Sequence, residues 1–376
     1  MTEIVLTKFH ITKFGGLEKH SFFIIKSLID KGFKITILTT KISDDFKNHD
    51  LKVVILKNHK IFNFLKLKIF DLLCKKWIKK NNPKIILSFD RSSNYTHIRL
   101  GIGLHLTFLK QKKFFESKFK LFMNRFNPGN AINLSIEKSG FHQKNLKKII
   151  VNSYMVKDEL INNYKILDSK IEVIHNGVEF DELKADFDIW DVKKPLLLEK
   201  HHLNPDNFHF LFIGNDYKRK GLIPLLNALS LLKNEKFHLS VIGKDKKIVK
   251  YKRLSKSLGL EKQVSFFGKQ DSVRDFYQIA DALVLPSFYD PFSNVAIEAL
   301  AMGVFVITSE FNGAKEILNA QNGKVTDIMN LAIFSNELKN AMKTKKSKDR
   351  AIKIRDSIKD LTIEKQIDKL IQTISV

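Results

Sequence analysis

The chain alternates apolar runs of strand length with amphipathic segments of helix length. Glu3–Lys8 reads as a first strand, and a glycine turn, Phe14-Gly15-Gly16, follows it. Leu17–Lys31 has helical spacing, with Leu17, Phe22 or Phe23, Ile25 and Leu28 near one face and Gly32 placed as a C-cap. Lys34–Thr39 and Leu51–Leu56 are strand-like, Leu65–Lys80 is helical, and Lys84–Ser88 is a strand just after Pro83. Further on come a strand at Lys148–Val151, a helix at Tyr154–Asn163 and a strand at Ile171–Ile174. The pattern lapses between residues 178 and 206, a polar stretch containing Pro195 and Pro205, which is expected to be a linker. It then restarts with strands at Phe208–Ile213, Phe237–Ile242, Val264–Phe267, Ala282–Pro286 and Val304–Thr308. Helices are expected between them at Gly221–Leu232, near Lys247–Leu258, at Ser272–Ile279 and after Asp290. Strands alternating with helices predict parallel sheets covered on both faces. Two α/β domains with a cleft between them are therefore expected, 1–177 and 207–350, with a charged helical tail at 351–376.

Length and composition fit this division. The 376 residues suffice for two domains of about 150 residues each, and 44% hydrophobic content can fill two cores. A single cysteine, Cys74, excludes an intramolecular disulfide and a cysteine-based zinc cluster. No apolar run approaches the roughly 20 residues of a membrane span. Met1-Thr-Glu3 lacks the basic start of a signal peptide, so a cytoplasmic protein is expected. Net charge is +25, from 65 Lys and Arg against 40 Asp and Glu. Such an excess favours a polyanionic partner, although abundant Lys, Asn, Ile and Phe also fit a compositional bias. No helix-turn-helix, zinc-finger or RNA-recognition pattern accompanies the charge, which argues against nucleic acid.

Candidate chemistry sits where strands turn into helices. The segment Asp290-Pro-Phe292-Ser293-Asn294-Val-Ala-Ile-Glu298 places two carboxylates eight positions apart between two strands. Open α/β sheets bind ligands at that carboxyl edge, and acceptor-only groups suit a polyhydroxylated molecule. Gly214-Asn-Asp-Tyr-Lys-Arg219-Lys220-Gly221 is a second such loop. Cations at a helix start oppose its dipole unless an anion such as phosphate lies between. Gly15-Gly16 offers close backbone approach, but lacks the Gly-x-Gly-x-x-Gly dinucleotide spacing. His105, in Arg99-Leu-Gly101-Ile-Gly103-Leu-His105, is a candidate acid, base or hydrogen-bond donor. No metal-ligand cluster is apparent. The one Asp-x-Asp match, Asp186-Phe-Asp188, falls in the polar stretch and reads as solvated surface.

Taken together and in order, these motifs resemble the retaining glycosyltransferases of family 4, particularly lipopolysaccharide core enzymes of the WaaG type. Ile149-Ile-Val-Asn-Ser153, Ile171-Glu-Val-Ile-His-Asn-Gly-Val178 and Ala280-Asp-Ala-Leu-Val-Leu-Pro-Ser287 add to the likeness. The resemblance implies the GT-B fold, two Rossmann-like α/β/α domains facing each other across a cleft, with the final helix crossing back to the first. It implies metal-independent transfer of a hexose with retention, from a nucleoside-diphosphate sugar, UDP-linked by family habit, and no cofactor. Asp290 would contact the sugar, where relatives commonly have Glu, and Glu298 the donor ribose. Arg219 and Lys220 would hold the diphosphate, His105 would line the sugar site, and Gly15 and Gly16 would lie by the phosphates. Gly214, Phe292, Ser293 and Asn294 complete the implied donor site. Ile102 stands where relatives often carry Asp. A GT-B UDP-sugar epimerase and a transferase for another surface glycan remain open.

Between His105 and Pro128 the chain carries Lys110, Lys112, Lys113, Lys118, Lys120 and Arg125 against one acid, Glu116. Phe108, Phe114, Phe115, Phe119, Phe122 and Phe126 are interleaved, the last four at helical spacing. This is the composition of an interfacial helix, and Lys57–Lys80 is similarly basic and aromatic. An ordinary core helix with inward-facing rings is the competing expectation. A peripheral enzyme on the cytoplasmic face of the membrane, with a lipid-linked saccharide acceptor, fits the first.

Overall fold

The computed structural model describes residues 2–11, 16–43, 51–57 and 62–375. They form two α/β units, Met1–His175 with Ile363–Val376, and Asn176–Thr362. In the first unit the chain runs β1 (Glu3–Thr7), β2 (His10–Ile11), α1 (Gly16–Asp30), β3 (Lys34–Thr39), β4 (Lys41–Ile42), β5 (Leu51–Ile55), α2 (Lys66–Asn81) and β6 (Ile85–Ser88). It continues through β7 (His97–Leu100), α3 (His105–Gln111), α4 (Lys118–Arg125), α5 (Pro128–Phe141), β8 (Lys148–Val151), α6 (Tyr154–Tyr164) and β9 (Ile171–Val173). The main sheet has the order β5-β3-β1-β6-β7-β8-β9, with parallel pairing throughout; β2 and β4 form a short parallel pair beside it. Central strands buried on both faces need continuous apolar runs, which Ile4-Val5-Leu6 and Ile86-Leu87 provide. β7 escapes that pattern because His97 and Arg99, both buried, interrupt it.

Gly32 ends α1 with φ +81°. Its N–H donates to Ile29 and that of Phe33 to Leu28, the paired bonds that a left-handed glycine permits after a helix. Phe14 and Gly15 lie outside the described residues, and Gly16 is the first residue of α1. The last helix, α15 (Ile363–Ser375), belongs to this unit. Ile363, Ile367, Leu370 and Ile374 recur on one face and pack with Ile24, Ile25 and Leu28 of α1.

The second unit contains α7 (Lys184–Asp188), α8 (Trp190–Lys200), β10 (Phe208–Ile213), α9 (Leu222–Ser230), β11 (Phe237–Ile242), α10 (Ile248–Ser257) and β12 (Val264–Gly268). After these come α11 (Arg274–Ile279), β13 (Ala282–Leu285), α12 (Asn294–Ala301), β14 (Phe305–Ser309), β15 (Gly323–Thr326), α13 (Leu331–Met342) and α14 (Lys348–Asp356). Its parallel sheet has the order β12-β11-β10-β13-β14-β15. The expected linker at 178–206 is not one. Val178, Leu183, Phe187 and Trp190 join the core of this unit, and Asp186 pairs with Arg274 at 2.9 Å. That acid is structural, not solvated surface. The segment reads as polar because α7 and α8 are short and bury only one narrow side. The tail also divides later than 351: Ala351, Ile354 and Ile358 belong to the second unit's core, and Arg355 lies over the rings of Phe180 and Phe187 at 3.8 and 4.9 Å.

Candidate active site

In the second unit, four loops leave the carboxyl ends of the adjacent strands β11, β10, β13 and β14. Their close approach depends on glycine. Gly221 has φ +80°, and a Cβ there would stand 1.8 Å from the Pro286 carbonyl oxygen. Gly243 has φ +125°, and a Cβ would fall 2.1 Å from the carbonyl oxygen of Gly214. Any side chain would push these turns apart. Backbone bonds stitch the same loops together: Phe288 N–H donates to Arg219, Asp290 N–H to Phe311, and Gly313 N–H to Asp290. Tyr217, buried behind the first turn, donates its hydroxyl to Gly243 at 2.8 Å and its N–H to Asp245 at 2.9 Å. Burial, with Asp245 adding to it, pushes its phenol up to about 12.

This scaffold brings Lys220 and Asp290 together. The ammonium lies 2.5 Å from the carboxylate, and the two side chains are 13% and 10% exposed. Arg219 donates to the Tyr289 carbonyl at 2.8 Å and pairs with Asp216 at 3.4 Å. The expectation that these cations open a helix needs correction. α9 begins at Leu222, and Gly221, in the left-handed region, is its N-cap. Both cations therefore precede the helix, and Lys220 is matched by a carboxylate from the neighbouring loop. The stem of Lys220 lies over Gly214.

Glu298 stands on α12, partly exposed, and accepts a hydrogen bond from the Tyr277 hydroxyl at 2.8 Å. Ser293 is the N-cap residue of α12, and its side chain makes no capping bond. Asn294 accepts from the buried Asn176 at 2.7 Å. Phe292 is buried in the core, so its side chain serves packing.

His105, in the first unit, opens α3. The buried Glu137 of α5 accepts the N–H groups of His105 at 2.7 Å and Leu106 at 3.3 Å. It thereby caps α3 from another helix, where the helix dipole favours a negative charge. Arg91 at 3.0 Å and the Tyr164 hydroxyl at 2.6 Å complete its shell. The His105 ring meets Asn130 at 3.2 Å. Burial, assisted by Arg91 and opposed by Glu137, holds its imidazole below the ordinary range. Sequence spacing could not single out Glu137, Arg91 or Asn130, because none shares a motif with His105.

The basic aromatic stretch is not one continuous helix. It divides into α3, a 3-10 turn at Lys112–Phe114, and α4, whose Ser117 cap accepts from Lys120 N–H. Phe115 falls in the break. The rings of α4 and of its C-cap residue turn outward: Phe119 is 73%, Phe122 54% and Phe126 68% exposed. The inward-packing expectation therefore fails for α4. Lys118, Lys120 and Arg125 are exposed around these rings. Lys110 bonds Asn163, and Lys112 and Lys113 lie over Phe108 and Phe114. Phe62, 72% exposed, stacks on Phe64 at 5.6 Å, and Phe64 borders Gly129 at the start of α5. Residues 58–61 of the Lys57–Lys80 stretch lie outside the described residues. Among the described residues, no group of three or more His, Cys, Asp or Glu is arranged to hold a metal, and no helix is long and apolar enough to cross a membrane.

Two parallel-sheet units, with cationic and carboxylate side chains converging on the carboxyl edge of the second, define a GT-B type transferase scaffold. The family model described as Glycosyltransferase Family 4 matches residues 14–182, and that described as Glycosyl transferases group 1 matches residues 193–356. The lipopolysaccharide glucosyltransferase WaaG of Escherichia coli K12 is 23% identical over 320 residues, covering 83% of this chain and 82% of WaaG. A crystal structure of WaaG superposes with a TM-score of 0.79 at 17% identity, covering 99% of each chain. HepE of Anabaena, crystallised with UDP and glucose, gives 0.72 at 16% identity with full coverage of both chains. An uncharacterized glycosyltransferase of Methanocaldococcus jannaschii, MJ1607, is 29% identical over 177 residues. That match spans 46% of this chain and 44% of the relative. The chain belongs to the family 4 glycosyltransferases of GT-B fold and is related to the lipopolysaccharide core enzymes of the WaaG type.

Proposed function

We propose that this glycosyltransferase moves a hexose, with retention and without a metal, from a UDP-linked sugar to a lipopolysaccharide or lipooligosaccharide core acceptor at the inner face of the cytoplasmic membrane. The observation that carries the reading is the Lys220–Asp290 pair, flanked by Arg219, at the carboxyl edge of the second sheet. In the reaction the bond between the anomeric carbon and the diphosphate oxygen breaks. An acceptor hydroxyl oxygen bonds that carbon from the same face, and its proton passes to the leaving phosphate. Negative charge grows on the diphosphate, and preformed cations there stabilise the transition state more than the ground state. Arg219 and Lys220 supply that charge, Asp290 accepts sugar hydroxyls, Glu298 accepts those of the ribose, and His105 lines the sugar site. Gly214 gives the backbone room near the phosphates, and Ser293 and Asn294 offer the N–H groups at the start of α12. HepE, crystallised with UDP and glucose, supports the choice of donor. WaaG supports the acceptor.

The outward-facing aromatic and cationic residues of α4 support attachment to an anionic leaflet. Rings flanked by lysines bury apolar area among headgroups while the ammonium groups meet lipid phosphates. The test is a screen of nucleotide sugars against purified lipopolysaccharide core, read by mass spectrometry with and without chelator. A mass gain of one hexose, unchanged by EDTA, is expected. Loss of activity in EDTA with rescue by magnesium or manganese refutes metal independence. Conversion of a UDP-sugar without acceptor refutes transfer in favour of epimerisation.

A further inference from the structure

We propose that Tyr277 is a positioning residue that presets Glu298 for the donor ribose. The inference rests on the ribose reading of Glu298 given above and adds a residue outside every motif that pointed to the site.

Tyr277 lies on α11, and its ring belongs to the core of the second unit with Phe276, Ala296, Ile297 and Leu300. Only 1% of the residue is exposed. A phenylalanine would fill the same core without the cost of burying a hydroxyl, so the oxygen calls for an explanation. Its hydrogen bond, at 2.8 Å, ends on Glu298 Oε2. Burial first, and the neighbouring Glu298 charge second, push the phenol well above its ordinary range, so it stays protonated and donates.

Glu298 sits four residues after Asn294, the first residue of α12, about one helical turn from the edge where the loops after β10, β11, β13 and β14 converge. An unheld Glu on a helix samples several rotamers, and a ligand that needs one of them must restrict the others on binding. A rigid, buried donor removes that freedom before the ligand arrives. Bonds from a neutral hydroxyl to a carboxylate are short and strong, so the orientation is held with one oxygen directed to the core. The chemical class of ligand is a vicinal diol, the ribose 2′- and 3′-hydroxyls of a nucleoside diphosphate, for which the outward carboxylate oxygen, with its two lone pairs, is the acceptor.

The experiment uses the full chain and calorimetric titration with UDP, 2′-deoxy-UDP and 3′-deoxy-UDP, comparing wild type, Tyr277→Phe, Glu298→Gln and the double variant. Tyr277→Phe keeps the ring, and a melting curve checks that the unit remains folded. Tyr277→Phe is expected to weaken UDP by about threefold to tenfold, the size of the side-chain freedom that must then be frozen on binding. It should also pull the ratio of UDP to deoxy-UDP affinity toward one. The KM for donor should rise with little change in kcat, and adding Tyr277→Phe to Glu298→Gln should cost nothing more. A role confined to packing would move the melting curve and leave ribose discrimination intact; that result overturns the proposal. If Glu298→Gln abolishes discrimination while Tyr277→Phe retains it, only the positioning role falls. If wild type does not discriminate, or Glu298→Gln changes nothing, the ribose reading of Glu298 falls and takes the proposal with it.

Discussion

Lys220 and Asp290 should behave as an exchangeable pair, held together in the free enzyme and separated by the donor. Their charged atoms lie 2.5 Å apart with 13% and 10% of the side chains exposed. At an effective dielectric of about 20 the attraction is roughly 7 kcal/mol. Desolvation of both ions offsets much of it, and removal of one partner from such a pair costs about 3–5 kcal/mol. Lys220→Met should therefore destabilise the second unit by about 3 kcal/mol, because Asp290 is left without its counter-ion. Asp290→Asn strands the ammonium and should cost a similar amount. The double variant should cost less than the sum, with a coupling of about 2 kcal/mol or more in a double-mutant cycle, measured by urea unfolding. Binding separates the two residues further. If the ammonium must leave Asp290 to meet the diphosphate, Asp290→Asn should leave UDP affinity unchanged or raise it severalfold while turnover collapses. Lys220→Met should weaken UDP about tenfold or more. A coupling below about 0.5 kcal/mol, or equal loss of UDP affinity in both variants, would refute the reasoning.

Membrane attachment through α4 should need anionic lipid and weaken as salt rises, since a cation near the surface contributes about 1 kcal/mol within a Debye length. Replacing Lys112, Lys113, Lys118 and Lys120 by Glu should abolish sedimentation with anionic vesicles while donor hydrolysis in solution persists, and Phe119→Ser with Phe122→Ser should weaken sedimentation at every salt concentration. Equal binding to neutral and anionic vesicles would return the +25 charge to compositional bias. Stability should also fall with acid. Burial drives the imidazoles of His97, His209 and His238 from 6.5 to about 4, so below pH 6.5 the unfolded chain takes up protons that the folded chain refuses. The penalty is absent above about pH 6.5 and grows as the pH falls toward 4, at up to about 1.4 kcal/mol per pH unit for each histidine. His209 and His238 are register partners on β10 and β11, so the second unit should show the steeper dependence. A urea midpoint constant from pH 7 to 4.5 would contradict this.

The alternation of strands and helices was legible in the sequence because a buried parallel strand requires a continuous apolar run, as in Ile4-Val5-Leu6, Phe210–Ile213 and Ala282–Leu285. Loops that cross the sheet edge require glycine, so Gly214 and Gly221 marked their places. The carboxylates Asp290 and Glu298 and the cations Arg219 and Lys220 were equally visible, since each lies in a loop that follows a strand or, for Glu298, in the helix that the loop leads into. Elements whose apolar face is short stayed hidden: α7 and α8 seemed to be linker, and β7 was masked by the buried His97 and Arg99. Whether α4 turns its rings inward or outward could not be decided by spacing, which is the same for a core helix and a surface one. Only packing distinguishes them. Partnerships between distant residues were likewise beyond any local pattern. Lys220 with Asp290, Tyr277 with Glu298, and Glu137 with the start of α3 are joined by 70, 21 and 32 positions of intervening chain. Local propensity acts over a few residues, whereas the partner of a buried charge is chosen by whichever segment the folded sheet carries next to it.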